Sequence, residues 1–338
     1  MRRRRVTSWL GVVVSIVALG AVAWWISRQE SPRLPDSGMG YAWLGIALLL
    51  TAVTLALRGW RWHGILRLSG VPHRLRDALG LTLVAYMGNN VLPARGGELL
   101  KIGLMGERTT ARRREVLGTV LAERSLDAAV LAVLFAALTW AGVKGAAGGD
   151  GSATVAAAGV GAAAASLAAY MWLRRRGRFE RFAAVVRPVA RAFRLFTRPH
   201  GVPPAAASLV IWCLEGLTFL IIARAIGVEL ESLPALAVVV LASLFAAIPA
   251  APGYVGTFDA GILVGLSAIG VVGGDAVGVL LLARFVWFIP VTFVGLGVLL
   301  LGYGGLRRAA ADDEELLPEE PPRERCREVA SGQGRAGG

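Results

Sequence analysis

Cysteine and histidine are scarce in this sequence, and their scarcity excludes the sites that depend on them. The chain of 338 residues has two cysteines and three histidines. Cys213 lies inside an apolar stretch and Cys326 in a polar tail, so the pair provides neither a disulfide framework nor a zinc site. The histidines follow no metal-ligand spacing, and we interpret them as solvated loop residues. They are His63, His73 and His200. We expect no metal ion and no cofactor.

Charged residues are also few, and apolar residues dominate. Charged side chains make up 17% of the sequence, hydrophobic ones 55%, and the mean hydropathy is +0.60. Windows of about 20 apolar residues recur, each long enough to cross roughly 30 Å of hydrocarbon. The composition predicts an all-α polytopic membrane protein.

The charge that is present is strongly basic. There are 36 Lys and Arg against 23 Asp and Glu, for a formal net charge of +13. Nucleic acid is one partner that such an excess suggests. Here, however, the excess lies in short loops between apolar segments, where the positive-inside rule accounts for it. We therefore expect no nucleic-acid binding.

Continuous apolar segments predict about six transmembrane helices. The first, Ser8–Ile26, follows four arginines, Arg2–Arg5. A cleaved signal peptide is the alternative, because Ala21-Val22-Ala23 resembles a cleavage site. The others are expected at about 41–60, 117–141, 153–173, 205–226 and 276–303.

Two further apolar stretches, 78–105 and 234–272, are interrupted. The first lies between the basic segments 58–76 and 101–114, which we assign to cytoplasmic loops, and the second has few basic residues on either side. Each stretch should therefore enter and leave on one side of the membrane. Both are therefore predicted to be reentrant helical hairpins. This topology places the N- and C-termini in the cytoplasm. Irregular backbone at membrane depth is tolerated only where protein or water surrounds it, so we expect the turns to face a cavity.

Span, hairpin and span occur twice, in units of about 41–141 and 205–304. The first unit starts outside and the second inside, which predicts an inverted repeat. The spacing agrees: Gly97 precedes Arg124 by 27 residues, and Gly256 precedes Arg284 by 28. Inverted repeats with interrupted helices are a common way to build a transport site.

The second half of each hairpin begins at its turn, so free N–H groups of a helix start should converge on a buried anion such as a phosphate. Guanidinium groups complement such a site, because they bind phosphate bidentately. The predicted substrate-binding residues are Arg95, Gly96, Gly97, Arg124, Gly253, Gly256, Thr257 and Arg284. The residues expected to break the hairpins are Asn89, Asn90, Pro93, Pro249 and Pro252, with the two asparagines satisfying freed backbone groups.

Acidic residues inside apolar segments are costly and suggest either coupling to an ion or pairing with these arginines. They are Glu98, Glu123, Asp127, Glu215 and Asp259. The pairs expected are Arg95 or Arg124 with Glu98, Arg124 with Asp127, and Arg284 with Asp259 or Glu215. Pairing and ligand binding are compatible.

Residues 1–306 are predicted to form a single integral membrane domain. Phe and Val recur every three or four residues at about 178–197 between arginines, which indicates an amphipathic helix on the cytoplasmic leaflet. From 307 to 338 the chain is polar and Pro-rich, and we expect a disordered cytoplasmic tail.

Three motifs together resemble a known family: Asn90-x-x-Pro93 with Gly96-Gly97-Glu98, Glu123-Arg124-x-x-Asp127, and Pro252-Gly253-x-x-Gly256. The chain resembles the transmembrane region of lysylphosphatidylglycerol synthase, the flippase-like domain of the multiple peptide resistance factor. The resemblance implies a helical domain with two reentrant hairpins that translocates aminoacylated phosphatidylglycerol. No soluble aminoacyltransferase domain follows here, so the synthase activity is not implied.

These observations predict a lipid flippase of the plasma membrane, which moves a phospholipid or other anionic lipid between leaflets through a midplane cavity. Its partners would be membrane phospholipids; self-association and a separate lipid-modifying enzyme are further partners that we consider. There is no G-x-x-x-x-G-K-[ST] motif, so a gradient, a potential or downhill lipid flux must drive movement. The alternatives are a membrane-embedded transferase acting on a lipid-linked substrate and a non-transporting recruiter of another enzyme. The first alternative is disfavoured by short outward loops, and the protein is not expected to be an enzyme.

Overall fold

The computed structural model describes residues 31–92, 95–143, 201–247 and 252–304. Within these ranges the chain is helical, without strands. Its α-helices are α1 (Gly38–Leu68), α2 (Leu75–Val91), α3 (Gly96–Gly106), α4 (Arg113–Trp140), α5 (Val202–Arg224), α6 (Ser232–Phe245), α7 (Thr257–Ala268) and α8 (Gly273–Gly302). The features predicted at 8–26, 153–173, 178–197 and 307–338, and Pro93 and Pro249, lie outside the described residues.

Three described helices, α1, α5 and α8, are long and apolar enough to cross a membrane. This confirms a helical membrane protein. The α4 helix is continuous, as predicted for residues 117–141, but Glu123, Arg124 and Asp127 interrupt its apolar surface. Its membrane placement therefore depends on how these charges are satisfied.

The first predicted interruption is present. The α2 helix ends at Val91 and α3 begins at Gly96, after Arg95 in the left-handed region with φ 58°. The two helices then pack closely side by side. A Cβ on Gly88 would lie 2.6 Å from the Gly97 Cα, so these glycines permit the approach.

The second interruption is also present, between α6 and α7. A 3₁₀ turn, Pro252–Tyr254, precedes α7, and three residues of this turn region have positive φ: Gly253 (67°), Tyr254 (55°) and Gly256 (88°). The α7 helix packs against α6 through Gly261, whose Cβ would lie 2.6 Å from the Ala242 Cα.

The first span is longer than predicted, which corrects the assignment of two charges. It was expected to end near Trp60, with a basic cytoplasmic loop starting at Arg58. Instead α1 continues to Leu68, and Arg58 and Arg61 are buried inside the protein at 5% and 0% exposure. Lys101, predicted to start the next basic loop, is likewise buried in α3.

Packing follows the same order in the two halves of the chain. In the first half α1 packs on α2, α2 on α3 and α3 on α4; in the second α5 packs on α6, α6 on α7 and α7 on α8. The halves meet where α1 packs on α5, α2 on α8 and α4 on α6. Glycines sit at equivalent contacts, since Gly59 of α1 faces Leu79 of α2 and Gly216 of α5 faces Leu236 of α6.

Two hydrophobic clusters form the core. The larger is formed by helices α5, α6, α7 and α8 together with parts of α1 and α4. The smaller gathers the ends of α1, α3 and α8 with the starts of α2 and α4, so these five helix termini meet at one end of the molecule. There Arg108 contacts the Asp77 carboxylate at 3.1 Å and the Gly302 carbonyl at 2.6 Å.

Candidate functional site

A network of buried charge lies between α1, α3, α4 and α5. Four cations and four anions form it, so its formal charge is zero when all are ionised. Its members are Arg58, Arg61, Lys101, Arg124, Glu98, Glu123, Asp127 and Glu215. Burial of charge is tolerated when it is paired and hydrogen-bonded. Every member is paired, and all except Arg124 and Glu98 are joined to their partners by hydrogen bonds.

Arg61 is the centre of the network. Its guanidinium is fully buried, forms a bidentate pair with the Asp127 carboxylate, and donates at 3.0 Å to Glu123. It also donates to the Ser208 hydroxyl of α5 at 2.7 Å. The planar fork of an arginine can serve these three partners at once, which an ammonium group cannot do with the same geometry. Arg61 thus joins three helices.

Two further cations complete the buried part. Lys101 donates at 2.8 Å to Glu123 and lies 3.8 Å from the centre of the Trp62 ring. Arg58 donates at 2.8 Å to Glu215, which connects α1 to α5. Sequence reasoning paired Glu215 with Arg284 as one alternative; the structure pairs it with Arg58 instead.

Arg124 and Glu98 form the accessible edge of the network. Their side chains are 30% and 15% exposed, and Arg124 Nε lies 3.6 Å from Glu98 Oε1. Arg124 also lies 3.3 Å from Glu123 and 3.4 Å from Asp127. Among the described residues, Glu98 Oε2 has no hydrogen-bond partner. An arginine that is shared among three carboxylates and reaches the surface can exchange one of them for another anion.

The two interruptions meet beside this edge. Arg95, at the first break, donates at 3.0 Å to the Ala246 carbonyl at the end of α6, and its guanidinium lies 5.4 Å from the centre of the Tyr254 ring at the second break. Arg95 therefore links the two breaks, and Glu98, three residues further along the chain, is the residue that Arg124 contacts.

Asn90 has a different role from the one expected. It was predicted to satisfy backbone groups at its own break, but its amide donates across to α8, at 2.9 Å to the Thr292 hydroxyl and at 3.3 Å to the Phe288 carbonyl. Asn89 is buried beside Gly97, and its Oδ1 has no partner among the described residues. Asn90 thus fastens the first break to the last helix.

Arg284 stabilises the second break. Its Nε donates at 2.6 Å to Asp259, and its other nitrogens donate to the carbonyls of Gly253 at 2.5 Å and Tyr254 at 3.4 Å. Asp259 in turn accepts the Gly256 N–H at 2.8 Å. This helix start is therefore occupied by a side chain, so its Gly256 N–H is not free for an anion. The anion-binding role predicted for Arg284 and Gly256 is replaced by a structural one in this conformation.

Sequence reasoning missed the inward-facing cations. The positive-inside rule assigned Arg58, Arg61 and Lys101 to basic cytoplasmic loops. The signal that could have identified the first two is their spacing of three residues in a stretch that also carries Trp60 and Trp62. A helix continued through that stretch would place both guanidiniums on one face.

The chain matches one protein family along most of its length. The family model described as "Lysylphosphatidylglycerol synthase TM region" matches residues 8–295. A UPF0104 membrane protein from Methanothermobacter thermautotrophicus is 24% identical over 323 residues, which cover 85% of this chain and 93% of that protein. The glycosyltransferase AglD from Haloferax volcanii is 29% identical over 158 residues, covering 46% of this chain and only 25% of that protein. No solved structure matches the chain.

Proposed function

The chain belongs to the family of the lysylphosphatidylglycerol synthase TM region, and we propose that it moves a lipid with an anionic head group between the leaflets of the plasma membrane. The observation that carries the proposal is the meeting of two helix interruptions beside an accessible arginine pair, Arg95 and Arg124. Helix breaks that converge at a charged site are typical of transporters.

The reentrant topology is part of the proposal. The interrupted helices have 17, 11, 14 and 12 residues, and at 1.5 Å per residue each is shorter than the ~30 Å of hydrocarbon. The contact between Asp77, in the first turn of α2, and Arg108, just after the end of α3, supports entry and exit on the same side. The repeated packing order of the two halves supports an inverted repeat, a multi-pass topology and a site at the interface between the halves.

A phosphate would bind by competing for Arg124. That guanidinium is already held near Glu98, Glu123 and Asp127, and of these Glu98 is at the longest distance and the most accessible. Displacement of Glu98 leaves a carboxylate whose Oε2 already lacks a partner, so a proton or a donor on the ligand would stabilise it. Arg95, on the other break, completes the anion site. Arg284 shapes the site by holding the second turn.

The direct test is lipid movement in reconstituted vesicles. We would incorporate the purified chain into liposomes with fluorescent phosphatidylglycerol and measure the fraction that becomes accessible in the opposite leaflet. Arg95→Ala and Arg124→Ala should each slow this movement strongly, and Arg284→Ala should slow it through loss of the second turn. Arg76→Ala, an exposed arginine on the same chain, is the matched control. Unchanged movement in the Arg95 and Arg124 variants would remove the proposed site.

A membrane-embedded transferase acting on a lipid-linked substrate is the second candidate. The match to a protein named glycosyltransferase favours it, although the match spans a quarter of that protein. Acid–base catalysis needs an available carboxylate, and in the described chain Glu123, Asp127, Glu215 and Asp259 are all paired with cations. Transfer of a sugar from a lipid-linked donor by the purified chain, lost in Glu98→Gln, would favour this candidate over lipid movement.

A further inference from the structure

A second basic site lies at the end of α1. It is a shallow pocket of about 400 Å³ that is formed by the last turns of α1 and the loop before α2. It is lined by His63, Arg67, Gly70, Val71, Pro72 and His73. Three of the lining residues are basic and none is acidic. Sequence reasoning treated the two histidines as separate solvated residues, but their rings are in contact.

The imidazoles form an ordered hydrogen-bond chain. His73 Nδ1 lies 2.7 Å from the Val71 carbonyl oxygen, which can only accept, so Nδ1 carries the proton. In a neutral His73, Nε2 is then an acceptor. His63 Nδ1, 2.7 Å away, must donate to it. These assignments leave His63 Nε2 outside the chain, free to take up a proton without breaking either bond.

A proton on His63 Nε2 would turn that atom from an acceptor into a charged donor beside Arg67. His73 from the loop and Arg67 from α1 itself both disfavour a positive charge on His63 in the absence of a bound anion, so proton uptake at Nε2 would accompany the binding of an anion. From α5, the neighbouring element, the uncharged Pro204 ring faces Gly64. Within the described chain, Arg67 is exposed and has no carboxylate in salt-bridge contact. Within the described residues no acidic side chain balances the basic charge of the pocket, so an anion is the complementary ligand.

The pocket lies at the level expected for lipid phosphates. The stretch from Gly38 to Leu57 has no charged residue, and its 20 residues already span ~30 Å. Trp60 follows, with 47% of its surface exposed, as is typical of the membrane interface. His63 and Arg67 lie one and two turns beyond it, where the head groups are. A basic pocket at that depth can meet the phosphate of a lipid without passage through the hydrocarbon.

We propose that His63, Arg67 and His73 form a phosphate-binding site at the membrane surface, separate from the site between the helix breaks. The phosphate belongs either to a lipid head group or to a soluble phosphorylated ligand, and the chemistry of recognition is the same. Arg67 supplies the permanent charge, and His63 supplies a second donor when it takes up a proton together with the bound phosphate. The site does not require that the chain move lipid, so its test is one of binding alone.

Histidine footprinting provides the test, because two of the three histidines of the chain line this pocket. The full chain in a neutral detergent is treated with diethyl pyrocarbonate, and modification of each histidine is followed by mass spectrometry. The probes are inorganic phosphate, dihexanoyl phosphatidylglycerol and, as the phosphate-free control, dihexanoylglycerol. A phosphate-bearing probe should slow modification of His63 several-fold and saturably, with His200 unchanged. Arg67→Gln should abolish this protection, and Arg76→Gln should retain it.

Each outcome has a defined meaning. Protection by phosphatidylglycerol but not by inorganic phosphate supports the site and assigns it to head groups, and the reverse result supports the site and assigns it to a soluble ligand. Protection by both also supports the site, and the probe that protects at the lower concentration then identifies the source. No protection by either probe would overturn the proposal. So would protection that persists in Arg67→Gln, or that dihexanoylglycerol produces equally. Since Arg67 is exposed, the variant should fold, and its elution in size-exclusion chromatography verifies this.

Discussion

Asp77 and Arg108 close the open end of the first hairpin, with Arg108 Nη1 3.1 Å from Asp77 Oδ1. Asp77 lies in the first turn of α2 and Arg108 just after the end of α3, so the contact brings together the two ends of the hairpin. A salt bridge of this length cannot extend across ~30 Å of hydrocarbon. The contact therefore links a local interaction to the topology of the chain in the membrane.

We predict that residues 76 and 110 are accessible from the same side of the membrane. In a background without Cys213 and Cys326, Arg76→Cys and Thr110→Cys would be labelled in intact cells with an impermeant maleimide. Both should remain unlabelled until the cells are opened, because both are expected in the cytoplasm. Glu229→Cys, between α5 and α6, should label in intact cells. Labelling of only one of the first two positions would exclude a reentrant hairpin.

Because α2 and α3 pack closely in the first hairpin, adding one methyl group at their contact should strongly reduce the stability of the protein. A Cβ on Gly97 would overlap the Ala85 carbonyl oxygen and lie 2.6 Å from the Asn89 nitrogen. Both are backbone atoms of α2 that cannot rotate away, so Gly97→Ala should lower the free energy of unfolding by about 1–3 kcal/mol. Gly103→Ala, in the same helix, meets no atom within 4 Å. It should be neutral or slightly stabilising, since Ala favours helix over Gly.

Thermal unfolding in detergent, followed by loss of the monodisperse peak in size-exclusion chromatography, compares the two glycine variants. Because they make the same chemical change in one helix, a difference between them reports the contact with α2. Equal midpoints would contradict the close approach of α2 and α3.

The sequence predicted the interruptions because their cause is local. Proline removes an N–H group and glycine permits positive φ, so the breaks after Val91 and before Thr257 follow from the residues at those positions. The boundaries agree within a few residues. The pairing of Arg124 and Arg284 with nearby acids could also be predicted from the sequence. In the chain, each arginine is separated from its acidic partner by no more than about the length of one helix.

The burial of Arg58 and Arg61 could not be predicted in the same way. An arginine near the end of an apolar segment has the same local pattern whether it meets water or a buried carboxylate. What decides between these is a partner that packing brings near: Glu215, 157 residues from Arg58, and Asp127, 66 residues from Arg61. Long-range pairs of this kind need the tertiary structure.

Removal of the Glu215 carboxylate should lower the free energy of unfolding substantially, because its partner Arg58 is buried. Its side chain is 16% exposed and that of Arg58 is 6% exposed. Glu215→Ala leaves the Arg58 guanidinium buried without its carboxylate, and we expect a loss of about 3 kcal/mol in the free energy of unfolding. The exposed pair of Arg224 and Glu229 is the control, and Glu229→Ala should change stability by less than about 1 kcal/mol.

Exchanging the two charges of Arg58 and Glu215 shows whether stability depends on the ion pair itself or on the residues around it. Arg58→Glu combined with Glu215→Arg keeps both charges and should recover part of the stability that Glu215→Ala loses, as measured by the same thermal unfolding. If the exchange is no more stable than Glu215→Ala, the aromatic rings of Tyr86 and Trp212, which lie 5.5 and 5.3 Å from Arg58, require the guanidinium in its present place.

Arg95 allows backbone strain and function to be separated. Among the described residues, only Arg95 and Tyr254 are non-glycine residues with positive φ, one at each break, and they touch. A side chain in the left-handed region costs roughly 1 kcal/mol. Arg95→Gly removes this strain and Arg95→Ala retains it, while both remove the guanidinium. The glycine variant should therefore unfold at a higher temperature than the alanine variant.

The same two variants should be equally poor at moving lipid. If Arg95 binds the head group, activity depends on the guanidinium and not on stability, so Arg95→Gly should remain as slow as Arg95→Ala in the vesicle assay despite its greater stability. Arg95→Lys, which keeps the charge but loses the bidentate geometry, should retain part of the activity. Full activity in Arg95→Gly would instead mean that this residue serves only to shape the turn, and the anion site would then depend on Arg124 alone.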